Sequence, residues 1–283
     1  MRLMVVCAVI VGCALAWSAL NTVQYGAPNF WIWRLISGRA HGGRRVDLDG
    51  LQIYYETFGA GAPVLVLHGG KSRLETMHNQ IVALASDHLV VAPDSRGHGR
   101  STDRPGPLHY DDMAVDMIGL MDRLHIAKAD VVGWSDGGII GLDMAMRRPD
   151  RVARLVVIGA NFDVKGLEDS SPPQRNIDLM AAAHGIYHRL QLAASPRQRA
   201  RDERDVRLWR TEPHFALTEL ARIRCPVLVI AGERDVVRRE HTDALARAIP
   251  GAREVIIRGA DHMAPLRDPA AVNAQVRRFF AHG

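Results

Sequence analysis

The stretch that decides the fold is ADVVGWSDGGIIGLDMAMRRP, residues 129 to 149. Its first part, ADVVGWS, is strand-like, with the apolar residues Val131, Val132 and Trp134 in a short stretch. Its second part is helical in character and stops before Pro149. Gly133 and Gly137 stand two positions either side of Ser135, where side chains would clash in a sharp turn. The stretch therefore predicts a serine held at a strand-to-helix turn.

Other strand-like and helix-like segments alternate on both sides of this unit. VDLDG and LQIYYETFG alternate in hydrophobicity around Asp49-Gly50, which predicts a hairpin. Further buried-strand runs are PVLVLHGG, HLVVAPD, RVARLVVIGA, CPVLVIAGE and AREVIIRG. Helical patterns over 111–124, 239–248 and 268–281 separate or follow them. This alternation predicts an α/β fold with a mostly parallel eight-stranded sheet and helices on both of its faces.

The alternation is interrupted between residues 161 and 222, where no buried-strand run occurs and Arg, Ala and Pro are frequent. We interpret this segment as a mostly helical cap, inserted after the sixth strand. A cap in that position would form one wall of a pocket at the carboxyl edge of the sheet. Its candidate lining residues are His184, Tyr187, Trp209 and His214.

The N-terminal segment is unlike the rest of the chain. Leu3 to Leu20 contain no charged residue and follow Arg2, as in a signal peptide or an uncleaved membrane anchor. Ala14-Leu15-Ala16 resembles a cleavage site, Cys13 lies in a loose lipidation motif, and a buried N-terminal helix is the third alternative. We expect the protein to be exported or membrane-anchored, with membrane association through residues 3–20. Residues 1–40 are accordingly set apart as signal or anchor plus linker, and the folded domain is predicted over 41–283.

Charge and cysteine content exclude several classes of protein. The net charge is +5, but the arginines are scattered and no zinc pattern, helix-turn-helix or aromatic-interleaved basic motif occurs. We therefore expect no nucleic-acid partner. Cys7 and Cys13 lie in the N-terminal apolar run and Cys225 lies far from them, so we expect no internal disulfide framework.

The GWSDG pentapeptide predicts a catalytic serine, and a serine hydroxyl needs a base before it acts as a nucleophile. His262 follows the last strand-like run, and Asp235 follows the preceding one. Both therefore lie with Ser135 at the carboxyl edge of the sheet, where residues distant in sequence can meet. We predict Ser135 as nucleophile, His262 as base and Asp235 as the acid that orients the base. Asp163 and Asp261 are the competing candidates for the acid.

Acyl transfer through a serine also needs two N–H donors for the developing oxyanion. The backbone N–H of Asp136, at the positive end of its helix, is the first candidate. The second is expected from the loop after PVLVLHGG, from Gly70 or, failing that, Lys71. His68 is expected to hold this loop in place.

The side chain of Asp136 has two interpretations. A carboxylate near the oxyanion opposes the charge that develops there, unless a cation on the substrate neutralises it. Asp136 would then bind the substrate. Alternatively, it only stabilises the N-terminus of its own helix.

The motifs HGG, PDSRGHGRS, GWSDGG, GERD and ADH together resemble the α/β-hydrolase superfamily from residue 44 to the end. GWSDGG with the following GAN is similar to the biphenyl hydrolase-like group, which includes valacyclovir hydrolase. That resemblance implies hydrolysis of α-amino-acid esters, with Asp136 binding the ammonium group. The oxyanion loop is HGG instead of a proline-containing version, which leaves the substrate open. Asp94, Arg96 and His98 match a fold motif and are expected to shape their loop.

The motifs together predict a serine hydrolase that needs no cofactor and no metal. We expect it to cleave a small carboxylic ester or related acyl compound through an acyl-enzyme. Carbon–carbon bond or lactone hydrolysis on the same three residues is an alternative. A ligand-binding protein with this fold and little turnover is an alternative of a different class.

Overall fold

A computed structural model of the chain describes residues 28–167 and 196–282. Eight strands form one sheet in the order β1-β2-β4-β3-β5-β6-β7-β8. The pairs β1–β2 and β2–β4 are antiparallel, and every other neighbouring pair is parallel. The strands are β1 Ala40–Leu48, β2 Leu51–Phe58, β3 Ala62–Leu67, β4 His88–Pro93, β5 Ala129–Trp134, β6 Val152–Ile158, β7 Val227–Arg234 and β8 Arg253–Asp261. The predicted mostly parallel eight-stranded sheet is confirmed.

Helices cover both faces of this sheet. Their bounds are α1 Pro28–Ile36, α2 His78–Leu84, α3 Tyr110–Arg123, α4 Asp136–Arg147, α5 Pro196–Thr211, α6 Leu217–Leu220, α7 Arg239–Ala248, α8 Ala264–Arg267 and α9 Pro269–His282, with short 3-10 helices at Leu74–Met77 and Val164–Gly166. Successive strand residues point to opposite faces. Val131 of β5 thus joins a core with α3 and α4, and Val132 joins a second core with α1, α2 and α9.

The hairpin between β1 and β2 has the predicted turn. Asp49 has a φ of 53° and Gly50 a φ of 86°, the two positive values that a tight two-residue hairpin turn needs. Asp47 accepts a hydrogen bond from the N–H of Gly50 at 2.9 Å, which further holds the turn.

Helix α1 lies within residues 1–40, which the sequence analysis set apart as signal or anchor plus linker. In the structure, this helix packs on the folded domain. Phe30 is only 2% exposed and packs against Phe58 of β2, with ring centroids 5.9 Å apart. Arg34 forms an ion pair with the fully buried Glu56 at 2.7 Å. The boundary at residue 40 was therefore placed too late, because hydrophobicity alone did not show that this helix has an inward face.

The cap segment is described in part. Within 161–222 the structure has the 3-10 helix at Val164–Gly166 together with α5 and α6, which lie between β6 and β7 in the chain. His184 and Tyr187 lie outside the described residues, as does the apolar run at residues 3–20. Among the residues that the structure does describe, no helix is both long and apolar enough to cross a membrane.

Candidate active site

Ser135 stands at the junction between β5 and α4 with a φ of 54° and a ψ of −120°. This strained conformation holds the serine on a sharp turn. A Cβ on Gly133 would lie 2.1 Å from the carbonyl oxygen of Gly137. A Cβ on Gly137 would lie 2.4 Å from the carbonyl oxygen of Leu67 on β3. Both glycines are therefore required by the closeness of the backbone around the turn.

The structure brings Ser135, His262 and Asp235 into one hydrogen-bonded chain. His262 Nε2 lies 3.1 Å from Ser135 Oγ, and His262 Nδ1 lies 2.8 Å from Asp235 Oδ1. The three residues follow β5, β8 and β7, whose carboxyl ends meet at one edge of the sheet. In this arrangement Nδ1–H donates to the carboxylate, which leaves Nε2 free to accept the proton of the serine hydroxyl.

The electrostatics of the pair fit this proton arrangement. Burial opposes the charge of Asp235, but hydrogen bonds from His262 and from the N–H groups of Val237 and Gly232 outweigh it and lower its pKa. Burial likewise disfavours the charged form of His262, but the hydrogen bond and charge of Asp235 raise its pKa above the ordinary 6.5. The carboxylate therefore stays ionised and stabilises the imidazolium that proton transfer from the serine would create.

Two supporting residues were missed from the sequence. Trp134 Nε1 donates to the carbonyl oxygen of His262 at 2.9 Å and so fixes the histidine loop. Gly159, just after β6, has a φ of 57°, and a Cβ there would lie 3.0 Å from Asp235 Oδ2 and 3.1 Å from His262 Nδ1. The position of Gly159 at the end of a buried strand was a sequence signal that could have found it. The contact of Trp134 with His262 joins residues far apart in sequence and had no such signal.

The competing acids have other partners. Asp163 Oδ2 lies 3.1 Å from His214 Nδ1, and its other oxygen accepts from the N–H of Lys165 at 2.9 Å. Asp261 forms an ion pair with Arg267 and accepts from the N–H of Met263 at 2.8 Å. His214, proposed as a pocket residue, is thus engaged by Asp163 and is largely exposed.

The loop after β3 lies against the nucleophile turn. A Cβ on Gly69 would lie 3.3 Å from that of Ser135, and one on Gly70 would lie 2.5 Å from Asp136 Oδ2. His68 holds this loop: its Nε2 accepts from the N–H of Ser95 at 2.9 Å, and its Nδ1 contacts the carbonyl oxygen of Gly69 at 2.7 Å. Burial lowers the pKa of His68 to about 4, so it is neutral near pH 7 and its single ring N–H suits these two bonds.

Asp136 begins α4, where the first N–H groups have no partner within the helix. Its side chain is buried, and both carboxylate oxygens accept from Trp209 Nε1 of α5, at 3.1 and 3.0 Å. Tyr110 also forms a side-chain hydrogen bond to it. Burial raises the pKa of Asp136, and these hydrogen bonds oppose that change. The carboxylate thus joins α4 to α5, an arrangement that neither sequence interpretation included.

Behind Asp136 lies a buried ion pair. His98 Nε2 is 3.5 Å from Asp205 Oδ1 of α5, and both side chains are almost fully buried. Burial lowers the pKa of His98, but the side-chain interaction with Asp205 and the charge of this carboxylate, with a smaller contribution from Asp136, reverse this and raise it. His98 and Asp94 also shape their loop, since His98 Nδ1 contacts the carbonyl oxygen of Arg96 at 2.9 Å and Asp94 accepts from the N–H groups of Leu74 and Arg100. Within residues 28–167 and 196–282, no cluster of three or more His, Cys, Asp or Glu side chains could hold a metal ion.

Comparisons with known proteins agree with this geometry. The Alpha/beta hydrolase family matches residues 64–275. The putative carbamate hydrolase RutD of Azorhizobium caulinodans is 31% identical over 76% of this chain and 87% of its own length. The human serine hydrolase BPHL is 29% identical over 79% of this chain and 81% of its own, which confirms the resemblance to the biphenyl hydrolase-like group.

A solved structure shows the same fold. The meta-cleavage product hydrolase CumD of Pseudomonas fluorescens superposes with a TM-score of 0.72 at 22% identity, over 84% of this chain and 97% of that one. With three quarters of the chain matched and the serine turn in place, the protein belongs to the alpha/beta hydrolase family.

Proposed function

We propose that this protein is a serine hydrolase that cleaves a small carboxylic ester, or a related acyl compound, through an acyl-enzyme. The observation that carries the proposal is the chain of contacts from Ser135 Oγ to His262 Nε2, and from His262 Nδ1 to Asp235. A nucleophile and base in contact, with the base held by a third group, is the arrangement that activates a serine.

The reaction follows from that geometry. Ser135 Oγ attacks the carbonyl carbon of the substrate, and its proton passes to His262 Nε2. The imidazolium then gives this proton to the departing alcohol, which leaves the acyl group on Ser135. His262 Nε2 then takes a proton from water, which attacks the acyl carbon; the bond from this carbon to Ser135 Oγ breaks, the acid leaves, and His262 returns the proton to Ser135 Oγ. The backbone N–H of Asp136 and one from the loop at Gly70 would bind the oxyanion in both halves of the reaction.

The substrate class is supported by the relatives that match most of the chain. One is named a putative carbamate hydrolase, and another, from a Streptomyces strain, is named rhodomycin D methylesterase DauP and is 29% identical over 79% of this chain. A 2-hydroxymuconate semialdehyde hydrolase from a Pseudomonas strain is 38% identical, but over only 42% of this chain. Hydrolysis at an ester-like carbonyl is therefore our first choice, and carbon–carbon bond or lactone hydrolysis is the second.

The proposal is tested by a fluorophosphonate probe and a series of p-nitrophenyl esters that vary in acyl chain length. We expect covalent labelling at Ser135 and turnover of short esters. Ser135→Ala should abolish labelling, and Ser135→Ala and His262→Ala should each lower kcat by roughly 10³-fold or more. An unlabelled wild-type protein that binds esters without turnover would instead be a ligand-binding protein.

A matched pair of variants tests the acid. Asp235→Asn should reduce activity about as much as loss of the histidine, because the imidazole would lose the carboxylate that holds its tautomer. Asp163→Asn changes a carboxylate that follows the neighbouring strand but contacts His214, so it should leave activity nearly unchanged. The reverse result would transfer the acid role to Asp163.

A further inference from the structure

Helix α1 has an apolar side chain on nearly every face. Its inner face carries Phe30 and Trp33, whose stacked rings lie 5.9 Å apart and pack against Phe58. Its outer face carries four large apolar residues that remain exposed: Trp31 at 48%, Ile32 at 54%, Leu35 at 85% and Ile36 at 78%. We call these four positions the outer face of α1. They lie on one side of the helix, because the last three follow Trp31 by one, four and five residues. A contiguous apolar patch on a helix is typical of an interaction site.

The helix is held firmly enough to present this face. Phe30 contacts His78 of α2 as well as Phe58, with ring centroids 5.7 Å apart. Arg34 forms an ion pair with the buried Glu56 at 2.7 Å, and its guanidinium also lies 4.6 Å from the centre of the Trp31 ring. The outer face is therefore fixed relative to the body of the enzyme.

The sequence just before α1 indicates what could cover the outer face. The uncharged run Leu3–Leu20 ends only seven residues, 21–27, before the helix begins. Seven residues span at most about 25 Å even when fully extended. If that run enters a bilayer, α1 is tethered close to the bilayer surface, so its contact with the surface becomes an intramolecular event.

Composition and charge fit a lipid surface as the occupant. Tryptophan and large aliphatic residues are the side chains that interfacial helices insert at the boundary of head groups and acyl chains. The exposed arginines that follow α1 are suited to contact anionic head groups. They are Arg39, Arg44 and Arg45.

We propose that the outer face of α1 is a membrane-docking surface, which lies in the interface of an anionic lipid bilayer and sets the orientation of the hydrolase body on it. This goes beyond the ester-hydrolase proposal and does not depend on it. Docking uses a helix that is part of the folded domain, so contact of this helix with the bilayer would also fix the orientation of the domain.

The test uses the full chain in phosphatidylcholine vesicles that contain a minority of phosphatidylglycerol. In a background of Cys7→Ala and Cys13→Ala, an NBD fluorophore is attached to Leu35→Cys in one sample and to Val115→Cys in another. Cys225 is buried and stays in place. Val115 is 57% exposed on α3, which packs on the opposite face of the sheet, so it is a matched control.

We expect lipids with a doxyl group on the acyl chain to reduce the fluorescence at position 35 and not at 115, and aqueous iodide to do the reverse. In the double variant Ile32→Glu, Ile36→Glu, iodide should quench the fluorophore at position 35, because the helix no longer enters the bilayer. Esterase activity should be unchanged. Quenching at 35 by iodide but not by doxyl lipid would overturn the proposal. Protection from both quenchers would overturn it as well, because the cover would then be the N-terminal segment or a second copy of the chain.

Discussion

Asp136 places a buried carboxylate one residue after Ser135, the proposed nucleophile. Its oxygens already accept hydrogen bonds from Trp209 Nε1 at 3.1 and 3.0 Å. Lys71 adds a positive charge nearby, with Nζ 5.0 Å from the centre of the Trp209 ring. A substrate ammonium would have to compete with these groups for the carboxylate. We therefore expect Asp136 to bind such an ammonium group more weakly than a carboxylate without other partners would.

This placement leads to a prediction about substrate charge. For two esters of equal size, one with an α-ammonium group and one neutral, we expect kcat/KM to favour the ammonium ester by no more than about tenfold. A new charged hydrogen bond to an unengaged carboxylate would contribute about 1.5–3 kcal/mol, equivalent to ten- to a hundredfold. Asp136→Asn, which keeps an acceptor for Trp209, serves as the control and should remove any preference. A hundredfold preference in the wild type would mean that Asp136 turns towards the substrate.

At the scale of elements, two ion pairs attach α5 to the body, in addition to the hydrogen bonds from Trp209 to Asp136. Asp205 forms a buried ion pair with His98 at 3.5 Å. Arg204 forms a partly exposed pair with Asp103. Exposed pairs of this kind contribute about 0–1 kcal/mol, whereas removal of one partner from a buried pair costs about 3–5 kcal/mol. Of these two ion pairs, the buried one therefore contributes more to the attachment of α5.

The buried pair predicts that stability depends on pH. The pKa of His98 is raised in the folded protein, so its contribution is fully present below the ordinary pKa of 6.5 and is lost as pH rises through the folded value. The free energy of unfolding from urea titrations should therefore fall as pH rises above about 6.5. Asp205→Asn should lower stability by about 3 kcal/mol at pH 6 and reduce this pH dependence.

The pKa of His262 is raised too, so His262 makes stability fall with rising pH in the same way. The difference in pH dependence between the wild type and Asp205→Asn therefore reports on His98 alone. Asp103→Asn is the matched control, because it removes a carboxylate that also contacts α5 but is more exposed. It should change stability by less than about 1 kcal/mol and keep the wild-type slope. If the pH dependence of the free energy of unfolding were unchanged in Asp205→Asn, Asp205 would not be what raises the pKa of His98.

At the scale of the whole molecule, α1 completes one of the two cores. A chain that begins at residue 40 would lose Phe30 from the core and leave Glu56 without Arg34, although Tyr54 would still contact that carboxylate at 2.7 Å. We expect this truncation to lower the free energy of unfolding by at least about 3 kcal/mol, the cost of removing one buried phenylalanine. A chain that begins at residue 25 keeps α1 and is the control. Equal urea midpoints for the two chains would show that α1 adds nothing to the fold.

The sequence by itself determined the architecture and the order of the strands along the chain. Predominantly apolar runs such as the one ending at Ser135 are a local signal, since a strand buried on both faces carries mostly apolar side chains. The same local logic located the glycines of the turn and placed His262 and Asp235 after strands whose ends share an edge. Export through residues 3–20 stays a prediction, because those residues lie outside the described part of the chain.

Only the tertiary structure decided which charged groups meet. Asp163 and Asp235 both follow parallel strands, but only Asp235 contacts His262. The pairing of Asp136 with Trp209, of Asp205 with His98 and of Arg34 with Glu56 was equally invisible in the sequence. The physical reason is that hydrophobic burial leaves a periodic pattern along the chain, whereas an ion pair depends on distances of a few ångströms between residues far apart in sequence.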